Sequence, residues 1–342
     1  VRTYRHARLP FEVEVQYRGS ARADGRLSRV RADRVFAYGA TAGLLGDLLL
    51  GDPRRGHPVA LFGRAAAAVE RRLWRDHRGR GAVHTAVCVG GAVALGALAR
   101  RAARPSAVAS VALTGVATWA VVGGTSLARE ARAVGRALEA GDVEGARRRL
   151  PHLCGRDPQA LDADGIARAV VESVAENTSD AVVGALVWGA VAGVPGLLGF
   201  RAVNTLDAMV GHRSPRHLRY GWASARLDDL AGWPGARLTA GLAAVAGPDP
   251  RGAVRAWRAD AGRHPSPNAG PVEASFAGAL GVRLGGTLSY AGRVEHRPVL
   301  NGTGRAVRVT DVERAVRLSR RVALLALGAC AAGRLLTRGR TS

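Results

Sequence analysis

The sequence contains no lysine. All 50 of its basic side chains are arginine, set against 27 Asp and Glu, for a formal net charge of +23. The absence excludes a P-loop lysine and any Schiff-base lysine, and with them two broad routes to nucleotide and carbonyl chemistry. Cysteine is scarce: Cys88, Cys154 and Cys330 are far apart, with no C-x-x-C or Cys/His zinc spacing. Neither a structural disulfide nor a zinc site is therefore expected. Aromatic residues make up only 5% of the chain. A basic chain so poor in stacking rings, with arginines at the ends of apolar blocks, is not built for nucleic acid, and no such partner is expected. The first thirty residues hold no apolar core, so no cleavable signal peptide is read there. The chain opens on Val, and its only Met is Met209. Residues 1–31 read as a disordered or over-extended N-terminal segment, and residues 32–342 as a single domain.

What is present is apolar sequence in blocks. A bilayer core about 30 Å thick needs about 20 helical residues to cross it. Ala82–Ala99, Ser106–Ala128 and Ala181–Phe200 approach or exceed that length, and Val35–Leu50 and Val322–Leu336 are shorter. Five such blocks predict an all-α, multi-pass integral membrane protein, and arginines between them suit anionic lipid headgroups. Arg100 to Pro105 joins the two clearest blocks into an antiparallel hairpin. Arg129 to Leu150 reads as a charged helix, Ala236–Ala246 as apolar but too short to span, and Arg251 to Gly304 as loop-rich with one helix near Ala274–Val282. No internal repeat is read.

The polar residues concentrate around the third block. Glu172, Glu176 and Asp180 recur at i, i+4 and i+8, close to one face if the helix continues. Carboxylates so placed suit magnesium, which takes one or two of them plus phosphate oxygens. The same spacing describes a solvated helix face, with Asp180 or Ser179 capping the next helix, and the residues leave both open. After the block, Asn204 with Asp207, and Arg226 with Asp229, lie three apart on helical faces beside Asp228. They fit a magnesium–phosphate site or an ordinary ion-pair cluster. Asn177 stands beside Glu176. His264-Pro-Ser-Pro-Asn268 is a rigid turn, useful if His264 and Asn268 must be pre-positioned. Glu273 is explained by its place in the first turn of the following helix. Asp47, near the end of an apolar block, is either an interfacial residue in water or a functional group at depth.

If every block crossed the membrane, the segments before Ala181 and after Phe200 would lie on opposite sides. Gly193-Val194-Pro195-Gly196 interrupts the block, and proline both removes a donor and clashes one turn back. A re-entrant hairpin broken there puts both polar segments on one face. The expected architecture is about four spanning helices plus one re-entrant or shallow pair.

Several segments together resemble one family. Gly46-Asp-Leu-Leu-Leu-Gly-Asp-Pro53, His57-Pro-Val59 and Gly63-Arg64 are similar to its opening motif. Glu172-Ser-Val-Ala-Glu-Asn-Thr-Ser-Asp180, Ala202-Val-Asn-Thr-Leu-Asp-Ala-Met-Val-Gly211 and Gly221-Trp-Ala-Ser-Ala-Arg-Leu-Asp-Asp229 match its central motifs. His264-Pro-Ser-Pro-Asn-Ala-Gly270 and Gly278-Ala-Leu-Gly-Val-Arg-Leu-Gly-Gly286 match the last. The chain resembles the CbiB/CobD family of cobalamin biosynthesis, the adenosylcobinamide-phosphate synthases, from about Arg34 to Leu336. It departs from the family pattern at Ala181, where Gly is usual, and at Pro271-Val272, where a Trp-Pro pair is usual.

The resemblance implies a cell-membrane carbon–nitrogen ligase with a cytoplasmic active site, using ATP and Mg2+. It would join adenosylcobyric acid to aminopropanol phosphate or a related amino alcohol, with other cobalamin-biosynthesis enzymes as possible neighbours. On this view Glu172, Glu176, Asp180, Asp207, Asp228 and Asp229 supply metal ligands. Arg213, Arg226, Asn177 and Asn204 bind the nucleotide, and His57, His264 and Asn268 are the catalytic candidates. A membrane transporter of a small anionic substrate and a non-catalytic membrane scaffold are the alternatives. Interrupted helices can line a transport site, and ATP-dependent amide formation separates the three.

Overall fold

The computed structural model describes residues 34–53, 56–155, 157–212, 214–290 and 293–339. The expected N-terminal extension, 1–31, and Arg213 lie outside the described residues. Most of the described chain is helical, beginning with α1 over residues 34–50. There follow α2 (Pro58–Leu73), α3 (Arg78–Ala103), α4 (Ala107–Val121), α5 (Gly124–Glu139), α6 (Val143–Arg149) and α7 (Ala163–Asn177). Next come α8 (Gly184–Ala192), α9 (Val194–Leu206), α10 (Trp222–Ala246), α11 (Pro250–Asp260), α12 (Ala269–Leu280) and, last, α13 (Thr310–Gly339).

The chain's own punctuation sets the helix ends. Side-chain oxygens of Ser106, Asp142, Asp162 and Asp249 cap α4, α6, α7 and α11, satisfying N–H groups that a first turn leaves free. Gly193, with φ +71°, ends α8, and Pro195 stands in the first turn of α9. The Ala181–Phe200 block therefore does turn back at Gly193. Gly196 lies so close to the Trp188 carbonyl that a Cβ there would sit 2.0 Å from its oxygen.

The hairpin lies inside a set of helices that share two ends. At one end, Arg100 on α3 donates to the Ala192 carbonyl at 3.2 Å, and Arg334 on α13 donates to the Gly189 and Ala190 carbonyls at 3.1 and 2.7 Å. The Ala190 and Ala192 carbonyls lie in the last turn of α8, where a helix leaves acceptors free, while Gly189 also accepts from the Gly193 N–H at 2.8 Å. Phe36, at the start of α1, lies under the Arg334 guanidinium. At the other end, the Asp47 carboxylate accepts from the Thr125 N–H at 2.9 Å, and Trp119 donates to the Gly51 carbonyl at 3.0 Å. There too, Thr178 bonds Ser319 of α13 at 2.6 Å. The main core gathers α5, α7, α12 and α13 around the polar end. Small residues allow close approach within it: Gly278 of α12 lies against the Gly252 carbonyl of α11.

Several sequence expectations change. Two helical stretches, Arg78–Ala103 and Ala107–Glu139, are long and apolar enough to cross a membrane by length and composition. The second bends at Val122–Gly123, so Ser106–Ala128 is not one straight helix; Asp47 caps the new start at Thr125. Val322–Leu336 is the later part of α13, whose earlier turns carry too many charges to be apolar throughout. Arg129 to Leu150 breaks at Gly141, with φ +75°. Ala236–Ala246 is the end of the longer α10. The fold is mostly helical as expected, with one addition: β1 (Leu284–Tyr290) and β2 (Arg293–Leu300) pair antiparallel in the segment read as loop. Two short runs around Ala291-Gly292 carry a hairpin signal that the helical context obscured.

Candidate functional site

Two tight departures from α-helix shape the site. Immediately after α7, residues Thr178–Val183 wind as a π-helix, and after α9, residues Asp207–Gly211 do the same. A π turn inserts a residue into the helical ladder and re-aims the side chains that follow. Asp180 sits in the first turn and Asp207 opens the second. Because α8 and α9 form a hairpin, both turns lie at its open end, and α10 runs past them with Asp228. The Asn204 side chain on α9 reaches toward Asp228, with 3.5 Å between Nδ2 and Oδ1.

These three aspartates crowd one another electrostatically. Burial, then the Asp228, Glu176 and Asp207 charges, holds the Asp180 carboxyl well above its ordinary range. Burial, then Asp207, pushes Asp228 up to about 7, and burial with Asp229 pushes Asp207 up to about 6. Arg201, one turn before Asn204 on α9, lies within electrostatic reach of Asp180 and Asp52. Its Nε is buried without a hydrogen-bond partner.

The opening motif arrives at the same place. His57 caps α2 by accepting from the Val59 N–H at Nδ1, so Nε2 carries the proton and faces Asp52 Oδ1 at 3.4 Å. Asp52 approaches Gly123, where a Cβ would lie 3.7 Å from its carboxylate, and Asp47 sits against Gly124. Residues far apart in sequence thus line one polar end.

A second group lies beyond Glu176. Glu172, 1% exposed, accepts from the Gly285 N–H at 2.7 Å. Glu273 on α12 is 2% exposed and hydrogen-bonded to Glu176. Burial, then the Glu176 and Glu172 charges, keeps the Glu273 proton on well above the usual carboxylate range. His264 Nδ1 accepts from the Ser266 N–H at 3.0 Å, leaving Nε2 facing Glu273 Oε1 at 3.8 Å.

The remaining candidates fall differently. Arg226 is 79% exposed and pairs with Asp229 at 3.7 Å; among the described residues it forms no buried phosphate fork. Asn268 is a tether: its amide donates to the Asp229 carbonyl at 2.9 Å and its oxygen accepts from Arg237 at 3.0 Å. Gly232 leaves it room, since a Cβ there would lie 2.7 Å from the Asn268 amide. Asn177 turns its amide nitrogen back to Ser173. The six proposed metal ligands do not close into one cage. Among the described residues, no three His, Cys, Asp or Glu side chains converge on a single ion. They divide into an aspartate group and a glutamate group that meet at Glu176. The aspartate group fits a cation that draws further oxygens from a phosphate substrate, because its carboxylates repel one another with few counter-charges.

Arg201 and Glu273 were not singled out by sequence reasoning. Glu273 carries a legible signal, as the one charged side chain in Ala269–Leu280, a helix buried along nearly its whole length. A second signal is a repeat. Asn177-Thr-Ser-Asp-Ala-Val-Val-Gly184 and Asn204-Thr-Leu-Asp-Ala-Met-Val-Gly211 share the pattern N-T-x-D-A-x-V-G, and both form the π turns. The expectation of no internal repeat is corrected accordingly.

Fold and site together define a helical protein that gathers carboxylates and a few cationic groups at one end of an apolar bundle. The chain belongs to the CobD/CbiB family: the family model described as CobD/Cbib protein matches residues 40–319. It is 58% identical over 288 residues to the cobalamin biosynthesis protein CobD of Mycobacterium tuberculosis (strain CDC 1551 / Oshkosh), covering 83% of this chain and 91% of that one. It is 45% identical over 289 residues to the protein of that name from Chromobacterium violaceum, covering 81% and 90%. To the one from Rhodobacter capsulatus it is 44% identical over 284 residues, covering 80% and 90%. No solved structure matches.

Proposed function

We propose that the chain acts in cobalamin biosynthesis as an ATP-dependent amide ligase. It joins a carboxylate of adenosylcobyric acid to aminopropanol phosphate or a related amino alcohol, giving adenosylcobinamide phosphate. The observation that carries this reading is the meeting of Asp180, Asp207 and Asp228 at the open end of the hairpin, beside Arg201, in a chain whose relatives are named cobalamin biosynthesis proteins.

A carboxylate is a poor acyl donor and must be activated. Transfer of the ATP γ-phosphoryl group to it gives an acyl phosphate and ADP. The amine then attacks the acyl carbon, phosphate leaves, and the nitrogen loses a proton. Positioning and charge neutralisation dominate such phosphoryl transfer. Asp180, Asp207 and Asp228, with Asn204, would hold magnesium, which when bound neutralises phosphate oxygens. The Arg201 guanidinium, within electrostatic reach of Asp52 and Asp180, pairs with phosphate oxygens on the same face. His57, with Nε2 directed to Asp52, is placed to hold or move a proton at the edge of the site.

A bilayer location fits the surface. Leu45, Leu49, Val87, Leu95, Val116 and Leu324 are all exposed, a load of apolar surface that a soluble monomer seldom carries. In this reading α1, α3, α4 and the later part of α13 span, the α8–α9 hairpin is re-entrant, and the polar end faces the cytoplasm, where ATP is.

The test is product formation by the purified, detergent-solubilised chain given ATP, Mg2+ and both substrates. ATP-dependent amide product is expected, reduced at least about 100-fold in Asp228→Asn with the melting transition retained. Absence of ATP-dependent product from the wild type rejects the ligase, and near-normal turnover by Asp228→Asn removes that residue from the site.

A further inference from the structure

An apolar groove of about 380 Å³ lies between α2, α3, the end of α4 and α9. Helix α2 turns Phe62, Ala66 and Val69 toward it at helical spacing. Helix α3 presents Val87, Gly91 and Leu95 at i, i+4 and i+8, hence on one face. Val87 is 52% exposed and Leu95 63%, so the groove is open along this wall. Gly91 widens the opening, because nothing lies within 4 Å of where its Cβ would stand. Since α3 is long and apolar enough to span, the open side faces acyl chains in a bilayer.

The α9 wall carries Leu198, Arg201 and Thr205. Arg201 is the one charged side chain in the lining, and its Nε is buried without a hydrogen-bond partner. A buried donor left unpaired is costly, the more so on a charged group. A water is a poor remedy, because it needs two to four polar partners, and the Thr205 hydroxyl is already given to the Arg201 carbonyl at 2.7 Å. A small soluble anion would pair with Nε but leave the apolar walls bare. An uncharged hydrocarbon would cover the walls but leave Nε unpaired. The groove fits an amphiphile whose chain follows the Val87–Leu95 stripe, about 12 Å at 1.5 Å per residue, and whose head offers an anionic oxygen. Exposed Arg64, Arg71 and Arg72 on α2 favour an acidic head over a zwitterionic one.

We propose that this groove binds one acidic phospholipid. An acyl chain lies along Val87, Gly91 and Leu95, and a phosphate oxygen of the head accepts from Arg201 Nε. The site borders the aspartate group without including it, and it stands whatever reaction that group performs. A guanidinium carries five N–H groups. In the ligase reading, the lipid takes the Nε donor and the terminal nitrogens remain for the substrate, so a bound lipid fixes Arg201 beside Asp180.

The test is photolabelling of the purified full-length chain in phosphatidylcholine nanodiscs, with adducts mapped by mass spectrometry. The probes are phosphatidylglycerol and phosphatidylcholine, each carrying a diazirine in one acyl chain at the same small mole fraction. Adducts of the acidic probe are expected on the groove walls of α2, α3 and α9, about fivefold above those of the zwitterionic probe, the worth of one arginine at an anionic head. Arg201→Gln should remove most of that preference. Gly91→Phe, which fills the groove, should lower the groove adducts about tenfold. Gly90→Phe, equally unobstructed but outside the lining, should leave them unchanged. Melting transitions confirm folding, and Gly91→Leu serves if Gly91→Phe does not fold. Adducts spread evenly over the exposed helices, equal labelling by the two probes, or groove labelling and preference that survive folded Gly91 and Arg201 variants overturn the site. Ligation is assayed on the same nanodiscs. Groove adducts that meet these expectations without amide product uphold the lipid site and reject the ligase, and amide product without them does the reverse.

Discussion

Asp228 and Asp207 are held where burial and neighbouring carboxylates oppose their charges. Burial, then the Asp207 charge, raises Asp228 to about 7, and burial with the Asp229 charge raises Asp207 to about 6, from an ordinary 3.8. The folded chain therefore keeps protons that the unfolded chain releases between about pH 4 and 7. Stability from this source is complete below about pH 4 and is lost as pH rises through 7, because there the native state binds more protons. Without divalent cations, the melting midpoint is expected to fall between pH 5 and 7.5. Asp228→Asn should flatten that slope and raise stability at pH 7.5 by on the order of 1–2 kcal/mol. A mutant whose melting curve tracks the wild type at every pH contradicts the raised carboxylate. Such crowding is tolerable where a cation or a phosphate-bound ion supplies the missing charge, and it marks functional sites more often than structural ones. The aspartates were legible in the sequence as residue types at suggestive spacings. Their convergence was not, because it depends on helices that meet only in three dimensions. Glu273 illustrates the limit: the sequence placed it in a first helical turn, a sufficient local reason, but α12 begins at Ala269 and sets Glu273 beyond that turn, buried beside Glu176.

Among the elements, the α8–α9 hairpin decides whether the site exists. Its tip was readable, since Gly193 and Pro195 punctuate an otherwise unbroken apolar run. The π turns at its open end were not, because nothing in helical periodicity announces an extra residue. The repeated N-T-x-D-A-x-V-G pattern was visible and carried that information in another form. The hairpin is held in place by α3, where Gly96 lies against Pro195; a Cβ at Gly96 would sit 2.8 Å from the Pro195 Cα. Gly96→Leu should therefore push the hairpin from α3, destabilising the protein by about 1–3 kcal/mol. It should also lower ligation without altering any polar group of the site. Gly91→Ala, on the same helix with nothing within 4 Å of the added carbon, is the control and should change neither. Equal melting midpoints for the two variants in detergent would show that the α3 contact is not what seats the hairpin.

On the scale of the whole molecule, the chain is a bundle with a polar end and an apolar remainder. The blocks of the sequence foretold the helices and the turning back of the third block. They did not foretell the bend after α4, the full length of α13 or the β-hairpin, each of which depends on side chains from other elements or on short local pairing. What the fold achieves is to bring the segment before Ala181 and the segment after Phe200 to one end, although twenty apolar residues lie between them. In the proposed reaction, Asp180 and Asp228 act on one substrate. Their coupling in ATP-dependent amide formation is the most direct measurement of the whole account. It requires kcat/KM for wild type, Asp180→Asn, Asp228→Asn and the double variant, with melting transitions confirming that each is folded. Residues serving one reaction centre are strongly non-additive. Each single variant should lose at least about 100-fold, and the double variant should fall no more than roughly threefold below the worse single. A double variant whose loss equals the product of the two single losses would place the aspartates in separate sites and contradict a shared catalytic end.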